Sequence, residues 1–136
     1  MSDNDTVIEA LNSILKDQMT NAVQYMQFHF RILQEEGVFP SGIFRSLAVE
    51  EMQVIERIAG RVSLLGGYPP KQLNSYGIPE NERDMLHEAI KNEEQLIKEI
   101  RNNAGPLEEA DSDSYQMLEQ VISEKENRLA RLKELL

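Results

Sequence analysis

The chain contains no cysteine, which excludes disulfides, thiolate metal sites, iron–sulfur clusters and a cysteine nucleophile, and fits a reducing compartment. Histidine is nearly as scarce: the two present, His29 and His87, are not spaced as a ligand pair and read as surface residues. No Ser-His-Asp arrangement, Glu-x-x-His motif or glycine-rich phosphate loop is available. Basic residues are the minority, with 14 Lys and Arg against 24 Asp and Glu and a formal charge of −10. Neutralising phosphates needs a clustered basic surface, so nucleic acid is not expected as a partner, whereas an acidic surface attracts cations. No apolar run approaches the roughly 18 residues of a membrane span. With 40% hydrophobic and 28% charged residues, a soluble protein with no membrane partner is expected. The opening segment MSDNDTVIEA is acidic and lacks the basic and apolar regions of a secretory signal, which points to the cytoplasm.

What is present is helical periodicity. At 136 residues the chain is sized for a single domain, residues 1–136, since a domain of about 150 residues hides roughly 70% of its unfolded surface. Four apolar stripes at helical spacing are separated by three interruptions, and strands are nowhere indicated. The first helix is expected from Thr6, with Glu9 completing a capping box, to Glu36 before Gly37; its stripe is Ile8, Leu11, Leu15, Ala22, Tyr25, Phe28 and Ile32. The second is expected from Ser41, an N-cap after Pro40, to Leu65, ended by Gly66-Gly67. The third covers Glu80 to Asn103, stopped by Gly105-Pro106, and the fourth runs from Asp111 to the end, on a stripe of Leu118, Val121, Ile122, Leu129, Leu132 and Leu136. The acidic run LEEADSDS before it reads as a solvated loop and helix start, with Asp111 and Asp113 favourable near the helix N-terminus.

Link lengths select the topology. The first and third links are short and make antiparallel hairpins; the middle link, Gly66 to Pro79, has about 14 residues, reaching roughly 45 Å, enough to span the ~35 Å of a 24-residue helix. An all-α, ferritin-like antiparallel four-helix bundle with one long crossover between helices 2 and 3 is the expected architecture.

Polar residues interrupt the stripes at one depth. Glu51 stands among Leu47, Val54, Ile58 and Val62, where an unpaired carboxylate is costly. Gln18 falls within the first stripe, Glu93 between Ile90 and Ile97, and Lys125 and Arg128 on or beside the fourth. These groups hold either metal ions or each other.

Nearly the whole chain also resembles a bacterioferritin subunit, in the stretches LNSILKDQMTNAVQY, EEMQVIERIAGRVSLLGGYP, LNSYGIPENERDML and VISEKENRLARLKEL. The resemblance implies a bundle core holding two iron ions, bound by a Glu on the first and third helices and by Glu-x-x-His on the second and fourth. Residues three apart project to the same face, so each such pair can grip one metal while carboxylates bridge both. At the matching positions this sequence has Gln18 for the first Glu, Glu51 followed by Val54 for the second-helix pair, Glu93, and Lys125 and Arg128 for the fourth-helix pair. Sliding the last match by one residue offers Glu124 and Asn127 instead, but turns Leu129 and Leu132 away from the core; the first match is preferred. It predicts a salt-bridge cluster of Glu51, Glu93, Lys125 and Arg128, with Gln18 and Tyr25 donating hydrogen bonds, in place of metal. No metal is then expected at the former ligand positions, iron is disfavoured as a cofactor, and no catalytic residue is assigned.

The resemblance further implies that Met52, on the second helix, occupies the position where one methionine from each subunit of a dimer ligates haem iron. Met19 and Met26 are expected near the same face, as haem or dimer contacts; adaptable apolar packing at a homodimer interface is the plainer role. The family's short fifth helix is missing, so a dimer is expected in place of a 24-subunit cage. Two function classes follow: a non-catalytic structural or interaction subunit, working beside a ferritin-type partner, or an iron-handling oxidase, storage or haem-binding subunit using the remaining carboxylates.

Overall fold

The computed structural model describes residues 3–33, 37, 39–40 and 42–136. Among the described residues five helices follow one another: α1 Asp3–Ile32, α2 Ile43–Leu64, α3 Glu82–Ala104, α4 Leu107–Ala110 and α5 Ser112–Glu134. No strand occurs among the described residues. The four long helices are those read from the periodicity, and their ends differ in instructive ways.

α1 starts at Asp3, not Thr6, so the expected capping box lies inside its first turns, and Asp3 and Asp5 sit at the positive end of the helix dipole. Its expected end at Glu36 and the expected N-cap Ser41 both lie outside the described residues. α2 is preceded by Gly42 at φ 76°, a left-handed conformation that glycine adopts without steric cost. At its other end Gly66, at φ 92°, donates to Ser63 O and Gly67 donates to Val62 O, each at 3.0 Å. That is the paired closure in which two orphan carbonyls of the last turn are satisfied. α3 begins at Glu82, two residues beyond the expected Glu80, because the Asn81 side chain accepts the Asp84 N–H and caps it.

The third link adds one element to the sequence reading. The LEEA of the acidic run forms the single turn α4, with Leu107 buried at 1% exposure. Asp111 then caps α5 by accepting from Ser114 N, and also receives Arg61 Nη2 at 2.9 Å on both oxygens. Leu107 and Ser114 are buried and Asp111 is half-buried, while Glu108, Glu109, Ala110, Ser112 and Asp113 are exposed, with Asp111 and Asp113 at the start of the helix as expected. At the chain end Leu136 is 51% exposed and lies outside the core stripe, since α5 stops at Glu134. On α1, Ile8 and Ile32 are only partly buried while Val7 and Ile14 are fully inside.

Cross-helix pairs give the arrangement: Gln18 meets Glu51, Gln24 meets Asn92, Glu93 meets Lys125, and Arg57 meets Glu124. Neighbours run antiparallel in the ring α1–α2–α5–α3, and the crossover 65–81 returns the chain along α1. Asn12 donates to Tyr68 O, Asn74 N donates to Thr20 Oγ1, and Gln24 donates to Gly77 O. The close approach at the start of this strap needs Gly67, whose added Cβ would lie 2.9 Å from Ile8 side-chain atoms.

The core has two apolar parts. An aliphatic cluster at one end contains Leu11, Leu15, Val54, Ile58, Ile100 and Leu118. A second, aromatic-rich cluster contains Tyr25, Phe28, Phe44, Leu86 and Leu132, with Phe28 and Phe44 edge to face at 5.4 Å. Charged groups lie between them.

Candidate functional site

Helical spacing delivers the site. Lys125 and Arg128 are three apart on α5 and therefore project to one face, while Glu51 on α2 and Glu93 on α3 reach them from either side. Gln18, Glu51, Glu93 and Lys125 are each 0% exposed and Arg128 is 7% exposed. Lys125 Nζ lies 2.9 Å from Glu51 Oε1 and 3.0 Å from Glu93 Oε1, donating to both. Arg128 Nη1 donates to Glu51 Oε1 at 2.7 Å and lies 3.6 Å from Glu93 Oε1. The Gln18 amide donates to Glu51 Oε2, and Tyr25 OH donates to Glu93 Oε2 at 2.8 Å. On the outer side Arg128 Nε forms an ion pair with Glu50 at 2.5 Å, and Arg131 approaches Glu50 at 3.6 Å. The structure thus brings together Gln18, Tyr25, Glu51, Glu93, Lys125 and Arg128, and adds Glu50 and Arg131. Those two have a sequence signal, one residue before Glu51 and three after Arg128, that only the three-dimensional pairing makes meaningful.

With both carboxyls ionised, the two glutamates, the ammonium and the guanidinium sum to zero formal charge. Burial pushes Glu93 up, but the Lys125 ammonium, the Tyr25 hydroxyl and Arg128 outweigh it and hold its carboxyl below the usual range. Burial also dominates at Glu51, whose carboxyl is pushed up to about 8 with help from the Glu93 charge, against Lys125 and Arg128. Burial and the two neighbouring carboxylates raise Tyr25 well above its ordinary value, so its phenol remains a donor.

These donors do not fit two metal ions. Lys125 Nζ bridges the carboxylates from the place a bridged cation would take, and neither a protonated ammonium nor a guanidinium offers a lone pair. Gln18 contributes at best one neutral oxygen, and Val54, buried at 1% exposure in the aliphatic cluster, contributes none. Among the described residues no group of three or more His, Cys, Asp or Glu side chains is placed to hold a metal ion. The alternative pair is excluded by position: Glu124 is exposed and paired with Arg57, and Asn127 is exposed.

The methionines divide. Met26 and Met52, 44% and 47% exposed, line an apolar surface groove of about 240 Å³ with Phe30, Val49 and His29, and Arg45 at its wall. Met19 is partly buried against the aliphatic cluster and does not line that groove. The groove offers two thioethers and apolar walls. His29, expected at the surface, is half-buried, with Nδ1 lacking a hydrogen-bond partner, while His87 is exposed. No helix among the described residues is long and apolar enough to cross a membrane.

Comparison with known proteins places this geometry. Bacterioferritin of Rhodobacter capsulatus is 30% identical over 132 residues, which cover 90% of this chain and 78% of that protein. The structure of the same organism's bacterioferritin, with a metal-free dinuclear site and haem iron in a crystallographic special position, superposes with a TM-score of 0.85 at 28% identity, covering 94% of this chain and 81% of that one. Ferritin-like di-iron-carboxylate proteins of Bacillus anthracis superpose with a TM-score of 0.86 at 23% identity over 100% of this chain and 99% of theirs, a likeness of fold. The ferritin family, described as a ferritin-like domain, matches residues 8–136. With the four-helix ring, the long crossover and this match across nearly all of its length, the chain belongs to the ferritin-like family.

Proposed function

We propose that this chain is a ferritin-like subunit without a di-iron ferroxidase centre, in which side-chain cations stand in for the metal ions, and that it serves a structural or interaction role. The observation that carries this reading is Lys125 Nζ at 2.9 and 3.0 Å from the two remaining carboxylates. An ammonium there neutralises the charge that iron would neutralise and fills the space between the ligands. A site whose cation is covalently part of α5 has no reason to take up Fe(II) and no redox couple of its own.

The proposal extends to assembly. The exposed apolar face carrying Met26, Phe30, Val49 and Met52 is read as the seat of a second copy of the chain, and a ferritin-type subunit is a further partner of the same kind. Haem held through Met52 across that pair is the second reading, favoured by the apolar groove around the thioether.

One preparation tests both. Elemental analysis of the purified protein, with oxygen-dependent Fe(II) oxidation followed in the same sample, is expected to show no stoichiometric iron and no turnover above buffer. Iron near one or two per chain would reject the proposal. Haem addition followed at wavelengths on the order of 400–430 nm decides the second reading, which a preparation that stays colourless eliminates.

A further inference from the structure

The chain has six methionines and no cysteine, so thioethers are its only sulfur. Among the described methionines, position divides them sharply. Met85 is 3% exposed within the aromatic-rich core, and Met19 and Met117 are partly buried against the aliphatic cluster. Met26 on α1 and Met52 on α2 are instead exposed, and both line the same apolar groove with Phe30, Ala48 and Val49. The described sulfurs most open to a soluble oxidant therefore share one face, and it is the face read above as the seat of a second copy.

Charge argues for a second copy as the occupant. The chain carries a formal charge of −10, yet no carboxylate lines the groove, whose only ionisable members are Arg45 and His29. Two copies meeting here avoid the acid-against-acid repulsion that other faces of so acidic a chain bring, and a two-fold contact sets the same patch on both sides. A thioether suits such a contact, being apolar and adaptable. A sulfoxide does not. It is polar, and apart from Arg45 and His29 the lining offers it no donor, so covering it leaves an acceptor desolvated without a partner.

We propose that Met26 and Met52 form an oxidation site through which a peroxide controls pairing of the chain. The inference rests on the reading of this face as the contact with a second copy. In the separated chain a sulfur lone pair attacks one oxygen of hydrogen peroxide and the S–O bond forms as the O–O bond breaks. The departing hydroxide takes the proton of the transferred oxygen and leaves as water. Sulfur is oxidised by two electrons and the peroxide is reduced. In the pair both thioethers are covered, so oxidation proceeds through the free chain and holds it there, until methionine sulfoxide reductases return the thioethers.

Hydrogen peroxide treatment of the full chain tests it, with sulfoxides located by peptide mass spectrometry and pairing followed by sedimentation velocity across concentration. Met26 and Met52 are expected to oxidise before Met19, Met85 and Met117. The dimer dissociation constant should rise about 10-fold or more, and methionine sulfoxide reductases should restore it, an arm that needs no variant. Met26→Leu with Met52→Leu, compared with its own untreated sample, should shift by less than about 2-fold. A parent constant unchanged after both residues are oxidised overturns the proposal, as does a leucine variant that responds like the parent, or dissociation that the reductases do not reverse. Each of those outcomes leaves the second copy in place as the occupant. A parent that is monomeric at every concentration overturns the proposal together with the reading beneath it.

Discussion

Lys125 is buried without any exposed surface, and its ammonium bridges both core carboxylates. Its ammonium is desolvated, as are both carboxylates it bridges, so the net stabilisation of the cluster is modest while the loss of one member is not. Lys125→Met is expected to destabilise by about 3–5 kcal/mol, because Glu51 and Glu93 are left facing each other. Leu129→Met, a volume-conserving change one turn away, should cost less than about 1.5 kcal/mol. Urea unfolding of the two variants compares them directly, and equal small losses would remove the cluster from the account. The same residues set a pH dependence. Glu51, raised to about 8 in the fold, binds its proton more tightly folded than unfolded. Its contribution is therefore complete below the ordinary carboxylate value and is lost as pH rises through about 8. Glu93, held below its ordinary value, acts in the other direction, losing its contribution as pH falls below the usual carboxylate range. Unfolding free energy is expected to decline between about pH 5 and 8, and Glu51→Gln should flatten that slope; a slope unchanged in Glu51→Gln would assign it to other groups. Five polar residues at one depth were legible from helical spacing alone. Glu50 and Arg131 were not, because their pairing with Arg128 and with each other exists only once α2 and α5 lie side by side.

Helix ends show where local chemistry decides and where packing does. Gly66-Gly67 ended α2 as the sequence reading required, since only a left-handed residue closes the last turn that way. In LEEADSDS six of eight residues are acidic or hydroxylic and most of the run is exposed as that composition implies, but it gave no sign of the single turn α4 that buries Leu107. Asp111 was legible as the start of the fourth helix, but its partnership with Arg61, fifty residues earlier, has no local signal. That pairing joins α2 to α5 across a seam where Arg57–Glu124 and Arg128–Glu50 also cross. Asp111→Ala removes both the cap and the ion pair's acceptor, and is expected to cost roughly 1–2 kcal/mol. Hydrogen exchange should show faster exchange in the first turn of α5, and protection equal to the parent protein there would contradict the capping role.

At the scale of the whole molecule, the apolar face of α1 and α2 is the feature that one chain leaves unsatisfied. Phe30 is 55% exposed beside Met26 and Met52, and clustered apolar exposure of this kind marks a contact surface. Light scattering after gel filtration is expected to give twice the 15.6 kDa chain mass, and Met52→Glu should shift the population to monomer. A parent protein that elutes as monomer at every concentration would assign that face another role. Within each chain the band of charge between the two apolar clusters has a further consequence. Sliding α5 by one turn, about 5.4 Å, would set Val121 or Leu129 against two carboxylates and carry Lys125 into hydrocarbon. Hydrophobic stripes alone tolerate such slippage, because one aliphatic contact resembles the next. A single polar layer makes every offset but one expensive, so the helices keep their longitudinal places even as the residues of the stripes are exchanged for one another.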